Sequence, residues 1–207
     1  GYQSGEANLE AVTRAMPPQE RHIPTREDCL RLMRERQVME HVVYHSLRVA
    51  EVAALLAQSL ERAGESLSLP LVEAGSLLHD IAKLESLKTR ADHAAAGQEM
   101  IDALGYAPLL GQVIRHHVRL PAEDAPCPVE CEIVNYSDKR VNGSLIVSLT
   151  ERFDYIRGRY GHTRDIIVRI DQLEERTRSI ERKLFARLPF APEELASVLD
   201  RFLMEGP

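Results

Sequence analysis

Apolar residues recur at steps of three and four along most of this chain, and the element they predict is the amphipathic helix. Over 41–62, Val42, Val49, Val52, Ala53, Leu56 and Leu60 fall on one stripe, and Gly64 ends the helix. The next helix opens at Pro70, where a missing N–H costs nothing, and Leu71, Ala74, Leu77, Leu78 and Ile81 make it apolar around much of its circumference. A helix of that kind belongs at the centre of a fold. Upstream, Thr25 is placed to cap a helix running through Leu30, Met33 and Val38, with Glu27 and Asp28 in its first turn. Downstream, the pattern predicts helices over 92–104, 108–118, 130–140, 145–160, 163–188 and 192–204, the third and fourth parted at Asn142-Gly143. Strand-like alternation is almost absent, and there is no internal repeat or low-complexity tract. The fold class expected is all-α.

Length and composition set the organisation. A chain of 207 residues with 44% hydrophobic and 28% charged positions carries one full core. Residues 1–24 are polar, hold Pro17, Pro18 and Pro24, and read as a flexible lead-in; 25–160 read as one helical domain and 161–207 as a C-terminal helical extension. Charge narrows the partners: 26 basic against 32 acidic side chains leave a net −6, which repels a nucleic acid from most of the surface. A small phosphorylated substrate remains open, because a bound metal and a few local cations dominate the field inside a pocket. Cys29, Cys127 and Cys131 are an odd number without a secretory leader, so the expected setting is reducing and cytoplasmic; Cys127 and Cys131 lack the second pair of a zinc ribbon. No apolar run approaches the ~18 residues of a membrane span.

The chemistry starts at His79 and Asp80, adjacent and deep in an otherwise apolar helix, where both side chains are expensive to bury unpaired. Two readings stand. Imidazole and carboxylate both ligate divalent transition metals, whose charge offsets the burial of the aspartate. Alternatively the pair sits at a helix end near the surface, since adjacent residues project about 100° apart. Other residues favour the metal. His45 lies on the preceding helix, His93 near the start of the following one, His116-His117 at the end of the next, and Asp138 one helix further on. Five successive helices each offer a ligand, which is how a bundle builds a metal site.

In that order and in those surroundings the chain resembles the HD-domain phosphohydrolases, whose mark is a histidine, a His-Asp doublet and a distant aspartate. The residues carrying the likeness are His45-Ser46-Leu47-Arg48-Val49-Ala50, Leu77-Leu78-His79-Asp80-Ile81-Ala82-Lys83 and Tyr136-Ser137-Asp138-Lys139-Arg140-Val141. The likeness covers about 38–160, and its pattern is similar to bacterial HD-domain hydrolases of diadenosine tetraphosphate, with His93 to Gly97 and Ile114-Arg115-His116-His117 as further matches. The Gly-Tyr-Pro of cyclic-dinucleotide phosphodiesterases is replaced by Val118-Arg119-Leu120-Pro121.

The resemblance implies a helical bundle with two divalent ions (Fe, Mn, Ni, Co or Zn). His45, His79, Asp80 and Asp138 surround one of them, and Asp80 bridges to a second held by His93 and by His117, His116 or both. Two cations ~3.5 to 4 Å apart acidify a water and take up charge on phosphate, so attack by hydroxide without a covalent enzyme intermediate is expected. Asp80 and Lys83 are the expected catalytic residues. Lys83, one turn past the doublet, is the first candidate for a substrate phosphate, followed by Arg48, Arg119 and Arg140; each is otherwise a solvated helix position. The expected substrate is a small phosphoester or phosphoanhydride, a nucleotide or dinucleoside polyphosphate. Competing readings are a catalytically silent metal- or nucleotide-binding module and a diiron oxygenase. His22, His41 and His162 fall outside the pattern, with His41 one turn before His45. The 163–188 helix is mixed in sign on its polar side, and its apolar stripe either packs on the domain or pairs two chains as a homo-oligomer.

Overall fold

The computed structural model describes residues 22–122 and 125–206; most of the lead-in assigned to 1–24 lies outside the described residues. Ten α-helices and one hairpin occupy the described residues. In chain order they are α1 (Arg26–Glu35), α2 (Glu40–Arg62), α3 (Leu69–Leu78), α4 (Lys83–Thr89), α5 (His93–Ala103), α6 (Pro108–Arg115), α7 (Val129–Lys139), β1 (Val141–Asn142), β2 (Leu145–Ile146), α8 (Leu149–Tyr160), α9 (Arg164–Phe185), a 3₁₀ turn (Pro192–Glu194) and α10 (Leu195–Glu205). The class is all-α, as the periodicity predicts.

Local chemistry fixes the helix starts. Thr25 and Asp28 form a capping box at α1, and Ser148 and Glu151 form another at α8. Ser68 caps α3, with Pro70 in the first turn; Asp92 caps α5 by accepting from Ala94 N at 3.0 Å. Thr163 caps α9 in the same way. Each of these helices thus begins with at least one of its free N–H groups satisfied by a side chain.

The core is one contiguous cluster. Leu56 and Leu60 of α2, Leu71 and Leu77 of α3, Ile114 of α6 and Ile133 of α7 are all enclosed in it. Helix α3 packs on α2, α6 and α7, which places it in the middle. Gly75 permits that approach, because a β-carbon there would collide with Val113 of α6. Gly97 does the same for α5, where a β-carbon would come within 2.8 Å of Ile114.

Several boundaries differ from the sequence reading, for identifiable reasons. Helix α3 stops at Leu78 rather than running through Ile81. Beyond it the hydrogen bonds tighten to a three-residue step, Ile81 N to Leu78 O and Lys83 N to Asp80 O, and α4 follows. The periodicity does not announce α4, which is seven residues long and leaves Leu87 exposed. A predicted helix start at 145 gives way to a hairpin pairing Val141 with Ile146 and Asn142 with Leu145, turned by Gly143 at φ +62°. The stripe of α9 packs on the domain, with Ile170, Ile180 and Leu184 buried against α7 and α8. The three cysteines are free thiols. No helix among the described residues is long and apolar enough to cross a membrane.

Candidate metal centre

The early end of α3 lets two adjacent residues serve one site. Within a continuous helix His79 and Asp80 would diverge, but His79 is the C-cap and Asp80 lies in the tight turn after it. Both are buried, His79 completely. Around them stand His45 from α2, His93 at the first position of α5, His117 just after α6, and Asp138 near the end of α7.

Hydrogen bonds on the rings decide which nitrogens face inward. His79 Nδ1 lies 2.7 Å from Ser76 O and His117 Nδ1 lies 2.7 Å from Ile114 O. A carbonyl only accepts, so each Nδ1 carries a proton and donates it. His45 Nδ1 donates likewise to Gly143 O at 3.0 Å, so the turn of the hairpin orients a ring on α2. Each Nε2 is then turned toward the carboxylates. Backbone clamps of this kind are how metal-binding imidazoles are aimed.

The spacing is that of a ligand cage. His45 Nε2 lies 2.9 Å from Asp138 Oδ1, and His79 Nε2 lies 3.5 Å from the same oxygen. Asp80 sits between two sets: Oδ2 is 3.6 Å from His79 Nε2, while Oδ1 is 3.3 Å from His93 Nε2 and 3.6 Å from His117 Nε2. Two groups thus offer ligand atoms within 4.8 Å of one another, His45/His79/Asp80 and Asp80/His93/His117. His79 Nε2 is buried without a hydrogen-bond partner, a cost that a native fold rarely leaves unanswered. A divalent cation held there would answer it. The donor set of imidazoles and carboxylates suits Fe, Mn, Co, Ni or Zn.

Without a metal, the ring and carboxylate charges compensate one another. Burial alone raises the Asp80 carboxyl, but the His79 charge and hydrogen bonds from His117 and His93 outweigh it, so the group is held well below the usual carboxylate range. Asp138 is likewise pushed up by burial and held well below by Lys139, His45 and His79. Burial depresses His79, yet the two aspartates outweigh it and raise its pKa; His117, with burial dominant, is lowered.

Two residues that sequence reasoning passed over brace the centre from behind. Lys139, almost wholly buried, donates to His117 O at 2.8 Å and to Asp138 Oδ2 at 2.8 Å, joining both groups. Asn135, one turn earlier on α7, donates to His116 O at 2.9 Å and His117 O at 3.0 Å. A buried lysine and asparagine on the helix of the last aspartate were the available signal. His93 is held through its helix cap, since Arg115 reaches Asp92 at 2.9 Å.

The remaining candidates fall in different places. Lys83 lies at the open side, Nζ 2.7 Å from Asp80 Oδ2, with 42% of its side chain exposed. His116 belongs to neither group; its Nδ1 turns 3.3 Å from Arg119 O, because α6 ends at Arg115 and the chain swings His117 inward instead. Arg140 departs from the substrate role expected of it: the side chain is buried and its guanidinium serves Val147 O, Pro192 O, Tyr136 and Glu181. Arg48, half-buried, pairs with Glu51 at 2.8 Å and lines a cleft with His41 and Gly143. Arg119 lines a separate cleft against α9. His41 and His162 are exposed, and His22 packs edge-on against Tyr106.

Similarity to known proteins agrees with this geometry. The HD domain family model matches residues 42–143, and that stretch of the chain is an HD domain, a type of domain found in metal-dependent phosphohydrolases. It is 29% identical over 149 residues to an uncharacterised protein of Methanocaldococcus jannaschii, covering 66% of this chain and 87% of that one. It is 26% identical over 173 residues to a protein of Picrophilus torridus named tRNA (cytidine(56)-2'-O)-methyltransferase, covering 77% of this chain and 48% of the relative. A ribonuclease Y of Fervidobacterium nodosum is 31% identical over 100 residues, which are 48% of this chain and 18% of that enzyme. The chain therefore spans less than half the length of the two relatives named for an activity. No solved structure gives a significant match.

Proposed function

We propose that this chain is a hydrolase of a small phosphoester or phosphoanhydride, with a nucleotide or dinucleoside polyphosphate such as diadenosine tetraphosphate as the substrate class. The observation that carries the reading is the position of Asp80, one oxygen toward His79 and the other toward His93 and His117. His45, His79, Asp80 and Asp138 would hold one divalent cation, and Asp80, His93 and His117 a second. Such ions, when bound, acidify a water and take up charge on attacking and leaving oxygens.

The chain's own residues supply the rest. Lys83, half-exposed and touching Asp80, is placed to neutralise a phosphate that enters from the open side, which favours phosphoryl chemistry over oxygen activation. Burial of His79 and Asp80 keeps bulk water from the inner face of the centre. Arg140 has no share in substrate binding on this account, because its donors are consumed within the fold. The likeness to ribonuclease Y adds phosphodiesters to the bonds worth assaying.

The test is metal analysis of the purified protein followed by a panel of phosphorylated metabolites assayed with Mn, Fe, Co and Ni separately. Bound transition metal and turnover of at least one nucleotide, both lost in Asp80→Ala, are expected. Full activity in Asp80→Ala would refute the assignment. Binding of nucleotide without any product over hours would replace it with a regulatory module.

A further inference from the structure

The fold brings two of the three cysteines together, at the opposite end of α7 from Asp138. Cys127 precedes Pro128, the N-cap of α7, and Cys131 is the third residue of that helix. A residue just before an N-cap packs back on the first helical turn, so a spacing of four brings both side chains to one place. Pro128 O ties them: Cys131 N donates to it at 3.0 Å, and Cys127 Sγ lies 3.7 Å from it. Cys131 belongs to the buried core, and Cys127, half-buried, packs against that core. The two thiols are in direct hydrogen-bonding contact, Cys131 as donor and Cys127 as acceptor.

The pair is chemically unequal. Donation from Cys131 lowers the Cys127 thiol below its ordinary value; burial and Glu132 oppose the shift, and Lys183 and Arg176 assist it. Lys183 and Glu132 are paired with each other at 2.7 Å, so their fields largely cancel and the contact between the thiols decides the direction. The same contact and burial push the Cys131 thiol far up. Glu123 and Asp124 precede Cys127 by four and three positions and add negative charge to this stretch of chain, so Cys127 is a thiol of moderate reactivity. Cys29 is the contrast: it is enclosed in the core, and burial pushes its thiol up to about 12.

We propose that Cys127 and Cys131 are a reversible redox pair that reacts with low-molecular-weight disulfides, Cys127 attacking and Cys131 resolving. The Cys127 thiolate attacks one sulfur of the reagent, forms a mixed disulfide with it and releases one thiolate. Cys131 then gives up its proton, and its sulfur attacks that of Cys127 and expels the second thiolate. The protons lost by the two cysteines go to the two released thiolates, so the pair is oxidised by two electrons and the reagent is reduced to two thiols. The reduced pair is the form in the structure. Oxidation fastens the connector that leads from His117 to the helix of Asp138 onto the first turn of α7. The site does not depend on the hydrolase reading of the metal centre.

The full chain, reduced and then freed of reductant, is incubated with oxidised glutathione at mildly alkaline pH, denatured in an alkylating reagent and cut with a glutamate-specific protease. Cleavage at Glu130 separates Cys127 from Cys131, so a bridge between them leaves the two fragments joined until they are reduced. That cross-link is expected, with Cys29 as the one alkylated cysteine, and dithiothreitol should restore all three thiols. Cys131→Ala should halt the reaction with glutathione attached to Cys127, and Cys127→Ala, which keeps only buried thiols, should stay unmodified. Melting temperatures before oxidation check that each variant folds, and the wild-type fragment map decides the matter if one does not. Three free thiols after a day, or glutathione kept on Cys127 of the wild-type protein beside a free Cys131, overturns the proposal. So does a disulfide that includes Cys29 or that joins two chains.

Discussion

His79 and His93 both face Asp80, but they reach it from unlike surroundings. His79 is fully enclosed, and its partners His45 and Asp138 come from α2 and α7, two helices of the main core. His93 keeps 30% of its side chain exposed and stands at the first turn of α5, after the short α4 and an irregular stretch. The closed half is preformed by the same packing that stabilises the protein, whereas the open half depends on a helix terminus held by Asp92 and Arg115. On the hydrolase reading, the closed half keeps its ion and the open half exchanges ion and substrate with solvent.

The largest expected effect falls on the carboxylate the halves share. Asp80→Asn should reduce turnover by on the order of a thousandfold or more, the scale of the charge stabilisation that two cations provide, as read in steady-state assays with saturating metal. Next comes the contrast between halves. His79→Ala should strip both sites, while His93→Ala should keep roughly one ion per chain, measured by elemental analysis after gel filtration. Equal loss in both would remove the distinction between the halves. A smaller effect is expected from the brace behind them: Lys139→Met, losing the link from His117 O to Asp138, should lower metal affinity by about 10- to 100-fold without abolishing the fold.

The smallest effect concerns the metal-free protein. Asp80 and Asp138 have depressed folded pKa values, so their contribution to stability is fully present above the unfolded value of 3.8 and lost as pH falls through the folded values. His79, raised, acts in the opposite sense: its contribution is full below the unfolded value of 6.5 and lost as pH rises through the folded one. Chemical denaturation of the chelated protein should therefore show an acid slope below about pH 4, and Asp138→Asn should flatten it.

How much of this was legible in the chain depends on the range of the interaction involved. The stripes of α2, α3 and α9 rest on three- and four-residue periods, and those helices appear close to where the periods place them. The order of histidines and aspartates likewise reads straight off the sequence. What was not legible depends on where chains turn. Adjacent His79 and Asp80 meet at one site only because α3 ends at Leu78, and His117 rather than His116 points inward only because α6 ends at Arg115. Arg140 has the composition of a surface residue and becomes internal through Pro192 and Glu181, distant in sequence. The hairpin at 141–146 is too short to show alternation, yet it holds His45 in place.

One measurement bears on the centre most directly: anomalous scattering from crystals of the protein as purified, collected on both sides of the absorption edge of the metal found by elemental analysis. Two peaks flanking Asp80 are predicted, one in contact with His45, His79 and Asp138 and the other with His93 and His117. A fully metal-loaded crystal with no peak touching Asp80, or with the ion bound elsewhere on the chain, would contradict the account.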